Sequence, residues 1–368
     1  MNNYKKKRVK LNYFRVCMTF FLMLLIIFGL ITAISSCSKG NVQSAQSINT
    51  QNSVVNKDVM ADVIDATKNN TTTEPTTLTY PSIDTSAKAF TADYGAKYAV
   101  IIDTSNNSIV AQKAYDTKMF PASLTKMMSL IVAADYIKNN NIDYEHQTYL
   151  ITAEMIDPMI AAEASRAGFA ADETPTIKDL LYGMILPSGA DATMAIADYV
   201  AGSEGAFVDL MNQKAQQIGL KSTHFTNPVG LHDVNHYSTA QDMALILEYA
   251  IKNDLCRTVL STYEYTVPAS EYNPDGILLT STMFGRMNGT EMPGVTIKGG
   301  KTGYTDEAGN CLADFAEING KTYIMVLAGE PSKWTTIYDT LSGFSVYCAG
   351  GQAYVPPANQ VSEEDDNY

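Results

Sequence analysis

Near the end of the chain, "CLADFAEINGKTYIMVLAGE" at residues 311–330 sets Asn319-Gly320 between two apolar, β-rich runs. An Asn-Gly pair accepts the positive φ angles that a two-residue turn demands, so this segment is held to an antiparallel hairpin. A second hairpin is expected at the other end of the folded region. There "AKYAVIIDTSNNSIVAQKAYD", residues 96–116, turns at Ser105-Asn106-Asn107. Helical patterns lie between them. One starts near Ser123, and another lies in "TIKDLLYGMIL", where Thr176 and Asp179 form a capping pair. A third runs over 204–218 and is stopped by Gly219, and a fourth starts from a capping box of Ser238 and Gln241 and ends near Asn253. "TTIYDTLSGFSVY" closes the pattern with a helix. Strands from both ends of the chain, joined by hairpins, imply an α+β domain within the broad α/β class. Its sheet is mostly antiparallel and flanked by helices.

That domain is expected over residues 82–354 of the 368. Before it, Lys5, Lys6, Lys7, Arg8, Lys10 and Arg15 precede an uncharged apolar run at 16–34. Such a run reads as a secretory signal or a membrane anchor, with the basic flank left in the cytoplasm and everything beyond it exported. "ISSC" then resembles a bacterial lipoprotein box whose Cys37 would carry lipid; the alternative is a free cysteine beside an uncleaved anchor. Residues 1–37 are thus assigned to the signal or anchor. Residues 38–81, rich in Ser, Asn, Thr and Gln, are read as a disordered tether. Residues 355–368, ending in four consecutive acids before Asn-Tyr, are read as a disordered acidic tail. A net charge of -13 weighs against nucleic acid as a partner, since most of the surface would repel phosphates. Cys256, Cys311 and Cys348 remain beyond the signal, an odd number with no C-x-x-C pair, so no zinc or redox site is expected and a disulfide cannot be assigned.

The chemistry centres on "FPASLTKMMSL". Ser123 and Lys126 are one turn apart at a helix start marked by Pro121, within reach of each other and beside unpaired backbone N–H groups. Alone, S-x-x-K is weak; a second example, Ser36 to Lys39, lies in the tether. On this motif alone the readier reading is Ser123 or Thr125 as a simple cap, with Lys126 a solvated charge. What changes the balance is "IKGGKTGYTDEAGNCLA", which supplies Lys301-Thr302-Gly303 just before the late hairpin. S-x-x-K, a middle S-x-N and K-T-G form the joint signature of penicillin-binding proteins and class A β-lactamases. On an edge strand beside the helix, Lys301 and Thr302 can bind a substrate carboxylate, and Gly303 lets the substrate backbone approach.

On "PASLTKMM", "LLYGMILPSGADATMAIA", "THFTNPVGLHDVNHYSTAQDMALI" and "GGKTGYTDEAGNCLA", in that order, the chain resembles the low-molecular-mass penicillin-binding proteins. More narrowly, it is similar to the serine-type D-alanyl-D-alanine carboxypeptidases of the S11 peptidase family. The resemblance implies a β-lactamase/DD-peptidase-like fold with an added helical subdomain and no cofactor or metal. It implies removal of the terminal D-alanine from peptidoglycan stem pentapeptides through an acyl-enzyme, with β-lactams as inhibitors. In it Ser123 is the nucleophile and Lys126 its base; Ser188 passes a proton to the leaving group, and Lys301 and Thr302 hold the substrate carboxylate. The backbone N–H groups of Ser123 and Tyr304 form the oxyanion hole. The implied place is the outer face of a bacterial cell membrane, held through the N-terminal anchor or lipid. The middle block departs from the family's Ser-Gly-Asn: here it is Ser188-Gly189-Ala190, and Ala190 cannot hold the first lysine as an amide does. Asp191 matches an acid of the family block and is expected to support the loop.

Two alternatives stand beside this reading. A β-lactamase is disfavoured because no E-x-x-L-N context follows the middle block, and a non-catalytic penicillin-binding wall sensor fits the loss of the amide. His232 and His236 are four apart but lie in a loop, so His236 is assigned to structural hydrogen bonding. A Ser-His-Asp triad is disfavoured for want of a G-x-S-x-G elbow. "KMMSLIVAADYI" is assigned to core packing.

Overall fold

In a computed structural model the protein is described over residues 77–356, apart from positions 84 and 92. Both early and late strands enter one sheet. β1 (Lys88–Ala89), β2 (Tyr98–Asp103) and β3 (Ser108–Lys113) come from the N-terminal side. After β4 (Glu264–Val267) and β5 (Ile277–Thr280), which pair apart as a small hairpin, come β6 (Thr296–Thr305), β7 (Gly309–Ile318) and β8 (Lys321–Glu330). The order across the large sheet is β1-β3-β2-β8-β7-β6, with β8 lying antiparallel to β2. Every pair is antiparallel except β1 with β3. At the β7–β8 turn, Asn319 and Gly320 have φ of 51° and 74°, the left-handed pair that an Asn-Gly hairpin requires.

The β2 and β8 sequences are apolar almost throughout because both faces of the sheet are covered. Val100, Ile102, Ile324 and Val326 face a large core shared with the helices. Alternate residues, Ile101, Met325 and Leu327, face a second core closed by Phe344. The first core is built around α1 (Lys126–Asn139), whose residues from Lys126 to Ala134 are all buried. A helix apolar on every side belongs in the middle of a domain, as expected for this segment. Around it lie α2 (Ala153–Ala161), α3 (Ile177–Ile185), α4 (Ala190–Ala201), α5 (Glu204–Gln217), α6 (Ala240–Ile251) and α7 (Asp254–Leu260). Then come α8 (Thr282–Met287) and α9 (Lys333–Gly343), the latter running into a π-helical turn at Phe344–Ala349.

Thr176 and Asp179 form the expected capping box, each side chain meeting the other's backbone N–H. The cap of α6 lies one residue later than expected. Thr239, not Ser238, accepts from the N–H of Asp242. The Ser238 hydroxyl instead meets Thr223, and the Asp242 carboxylate is taken up by Thr223, the Ser222 N–H and Tyr80. Tyr80 is part of a second correction. The tether expected to reach residue 81 is already docked at its end: Leu78 is buried and its N–H donates to the Ile218 carbonyl. The expectations for residues 1–37, for most of the tether and for 357–368 lie outside the described residues. Among the described residues no helix is long and apolar enough to cross a membrane.

Candidate active site

Pro121 leads into a 3-10 turn at Ala122–Thr125, which passes directly into α1 at Lys126. Ala122 has a left-handed φ of 47°, held by the opposing residue Gly230. A Cβ at position 230 would lie 2.0 Å from the Ala122 carbonyl oxygen, so only glycine lets the two backbones meet. This contact fixes the serine turn against the loop at 227–231. The loop is itself clamped by Asn227, whose Oδ1 accepts from the N–H groups of Val229, Gly230 and Leu231. Its Nδ2 donates to the Leu231 carbonyl.

The two side chains singled out from the sequence meet in this setting. Lys126 Nζ lies 3.1 Å from Ser123 Oγ and donates to the Val229 carbonyl at 2.7 Å. Lys126 is only 2% exposed. Burial pulls its ammonium down from the usual lysine range to about 7, with the Asp191 charge opposing that shift. An amine poised there can be neutral at physiological pH and take a proton from the adjacent hydroxyl.

Facing this turn is β6, the edge strand of the sheet. Gly303 makes the closest approach: a Cβ there would stand 3.0 Å from the Ser123 nitrogen and 3.2 Å from the Leu124 nitrogen. Lys301 is buried, donates to the carbonyl of Thr302 and carries no carboxylate partner among the described residues. Burial, then the charges of Lys126 and Arg286, hold its ammonium well below the lysine range. The Thr302 hydroxyl is 2.5 Å from that of Thr282, which ties α8 to the strand. Tyr304 turns its ring outward, 58% exposed, with its hydroxyl donating to Asp306.

The middle block is present but is not joined to this pair. Ser188 is buried, with a left-handed φ of 66°, and its hydroxyl has no hydrogen-bond partner among the described residues. Ala190 sits in a small apolar cluster with Met159 and Val229. Ala190 offers Lys126 no amide, and Lys126 donates to the Val229 carbonyl. Asp191 supports the loop, accepting from the N–H groups of Ala167, Gly168 and Phe169 at 2.8–3.1 Å.

His236 is structural. Its Nδ1 accepts from the Thr226 N–H at 3.1 Å, so its Nε2 carries the hydrogen and donates to Thr125 Oγ1 at 2.7 Å. Burial pushes it down to about 4. Among the described residues no group of His, Cys, Asp and Glu could hold a metal ion, and Cys256, Cys311 and Cys348 are free thiols. Sequence reasoning missed the Val229 carbonyl, Asn227, Thr282 and Arg286. Only the "TNPVG" stretch, an Asn-Pro followed by glycine, signalled a specialised loop there.

Residues 84–332 match the family described as Peptidase S11, D-alanyl-D-alanine carboxypeptidase. Over 238 residues the chain is 33% identical to the D-alanyl-D-alanine carboxypeptidase DacF of Bacillus subtilis, covering 64% of this chain and 57% of that one. It is 33% identical over 242 residues to DacA of Haemophilus influenzae, covering 64% and 58%. The match thus spans less than two thirds of either relative's length. A single-residue variant of the Streptomyces K15 DD-transpeptidase superposes with a TM-score of 0.63 at 27% identity, covering 70% of this chain and 99% of that one. Penicillin-binding protein 5 from Haemophilus influenzae gives a TM-score of 0.62 at 28% identity, covering 70% and 72%.

Proposed function

Since the chain belongs to the S11 peptidase family of D-alanyl-D-alanine carboxypeptidases, we propose that it removes the terminal D-alanine from peptidoglycan stem pentapeptides through an acyl-enzyme on Ser123. The observation that carries this reading is the buried Lys126 amine 3.1 Å from the Ser123 hydroxyl. Neutral Lys126 takes the Ser123 proton as the oxygen attacks the carbonyl between the two D-alanines. The developing oxyanion is held by the backbone N–H groups of Ser123 and Tyr304, on the two walls that Gly303 brings together. Lys301 and Thr302 hold the substrate carboxylate. Its negative charge favours the charged form of Lys301, which burial and the charges of Lys126 and Arg286 disfavour.

Ser188 relays the proton to the leaving D-alanine once bound substrate brings its hydroxyl, which has no partner among the described residues, into line with Lys126. Water then attacks the ester, the Ser123 proton returns, and the shortened peptide leaves. β-Lactams acylate the same oxygen because they present a carbonyl and a carboxylate in the same relation. We place the domain at the outer face of a bacterial cell membrane, held through the apolar run at 16–34 or through lipid on Cys37, as the basic flank before that run supports.

Release of free D-alanine from a synthetic pentapeptide is the test. The wild type releases it and Ser123→Ala does not; release by Ser123→Ala would exclude the assignment. One observation favours a second reading, a non-catalytic penicillin-binding wall sensor: Ala190 stands where the family's asparagine would be. Stable penicillin labelling without any D-alanine release would establish it.

A further inference from the structure

A cavity of about 360 Å³ lies at the end of the large sheet where β2 begins and β6 ends, and none of the steps above uses it. Lys97, Lys118, Phe120, Asn235 and Glu307 line it. Phe120 is three residues before Ser123, and Glu307 is two residues past the end of β6, so both walls of the cavity continue directly into both walls of the serine site. Between them His232 packs edge-on against Phe120 and lies 3.7 Å from the Glu307 carboxylate.

The charge of this cavity runs against that of the molecule. The chain carries a net charge of -13, yet two exposed ammonium groups line the cavity, and neither has a carboxylate partner among the described residues. Lys118 Nζ lies 3.7 Å from the centre of the Tyr237 ring, a contact that positions the charge without neutralising it. The nearby carboxylates keep their charge, but among the described residues none pairs with either lysine. Glu307 faces His232, Asp233 accepts from the Asn235 N–H, and Asp306 accepts from the Tyr304 hydroxyl.

We propose that this cavity is a subsite for a carboxylate carried by the stem peptide upstream of its D-alanine pair. The inference rests on the carboxypeptidase reading above. A peptide whose terminal carboxylate is at Lys301 and Thr302, paired antiparallel to the free edge of β6, runs toward Tyr304 and Thr305 as it is followed to its N-terminus. At about 3.3 Å per residue, the residues two to four places upstream of the terminal D-alanine reach the Glu307 end of the strand. In L-Ala-γ-D-Glu-L-Lys-D-Ala-D-Ala the glutamate is joined through its side chain, which leaves its α-carboxylate free at that distance.

The test compares this pentapeptide with the same peptide carrying an amide in place of the free glutamate carboxylate. The wild type should favour the acid in kcat/KM by about fivefold, the order that exposed ion pairs supply, and added salt should erode the preference. The double variant Lys97→Gln, Lys118→Gln should bring the ratio to about one, whereas Glu307→Gln, which removes an opposing charge, should raise it. Equal rates in the wild type, or a ratio the lysine changes leave intact, would overturn the proposal. A second arm does not depend on turnover: in Ser123→Ala, the tripeptide L-Ala-γ-D-Glu-L-Lys capped as a C-terminal amide should shift the side-chain NMR signals of Lys97 and Lys118, and the same capped peptide with an amide in place of the glutamate carboxylate should not. Absence of D-alanine release from either pentapeptide would remove the carboxypeptidase reading, while the NMR arm would still decide whether the cavity takes a carboxylate.

Discussion

If Lys126 is the base, acylation must follow its deprotonation. Burial sets its midpoint at about 7, against an ordinary lysine value of 10.5. Only the neutral amine can accept the Ser123 proton, so the reaction is slow below the midpoint and levels off above it. A midpoint of 7 leaves about one molecule in ten competent at pH 6 and about nine in ten at pH 8, a rise of roughly tenfold across two pH units. The second-order rate of labelling by a fluorescent penicillin, followed on gels at short times, measures this without peptide turnover. Asp191→Asn supplies a check on the cause. The Asp191 charge holds the Lys126 midpoint up, so the variant should titrate lower and label faster at pH 6. The amide keeps an acceptor for part of the loop at 167–169. A labelling rate flat from pH 6 to 8, or one that rises only near pH 10, would refute Lys126 as the proton acceptor.

Other consequences can be measured directly. Gly230→Ala should lower stability by about 3 kcal/mol in denaturant unfolding, because its Cβ would meet the Ala122 carbonyl at 2.0 Å in a backbone with φ of 88°. Ala190→Asn should raise the acylation rate by about tenfold by returning an amide to the site. It should also lower Tm, since the amide enters the apolar cluster of Met159 and Val229. His236 binds its proton less tightly in the folded state, at about 4 against 6.5 unfolded, so stability present at pH 7 is lost as pH falls through that window. The loss amounts to about 3 kcal/mol, and it should be absent in His236→Gln when urea midpoints are compared at pH 7 and pH 4.

The parts of the fold legible in the sequence were those with a strong local cause. Asn319-Gly320 and the turn at Ser105-Asn106-Asn107 each dictate a hairpin, and the apolar run after Lys126 could only be a central helix. The Thr176–Asp179 box is equally local. What was not legible depends on contacts distant in sequence. The cap of α6 moved to Thr239 because the Gln241 N–H that Ser238 would have capped donates to the Tyr115 carbonyl, 126 residues back, and the Ser238 hydroxyl pairs with Thr223. α2 was missed because Pro158 lies within it. At the site, Ser123, Lys126 and Lys301 could be found by motif, since their spacing is chemistry. The carbonyl of Val229 could not: a backbone acceptor has no residue signature, and it reaches Lys126 only because Gly230 lets the loop touch the serine turn.

The central claim is that Ser123 is the oxygen that becomes acylated. Peptide mass mapping after brief exposure to benzylpenicillin tests it most directly. A single adduct of the drug's full mass on the peptide containing Ser123, absent in Ser123→Ala and greatly slowed in Lys126→Met, is the predicted result. An adduct on any other residue, or one that persists in Ser123→Ala, would contradict it.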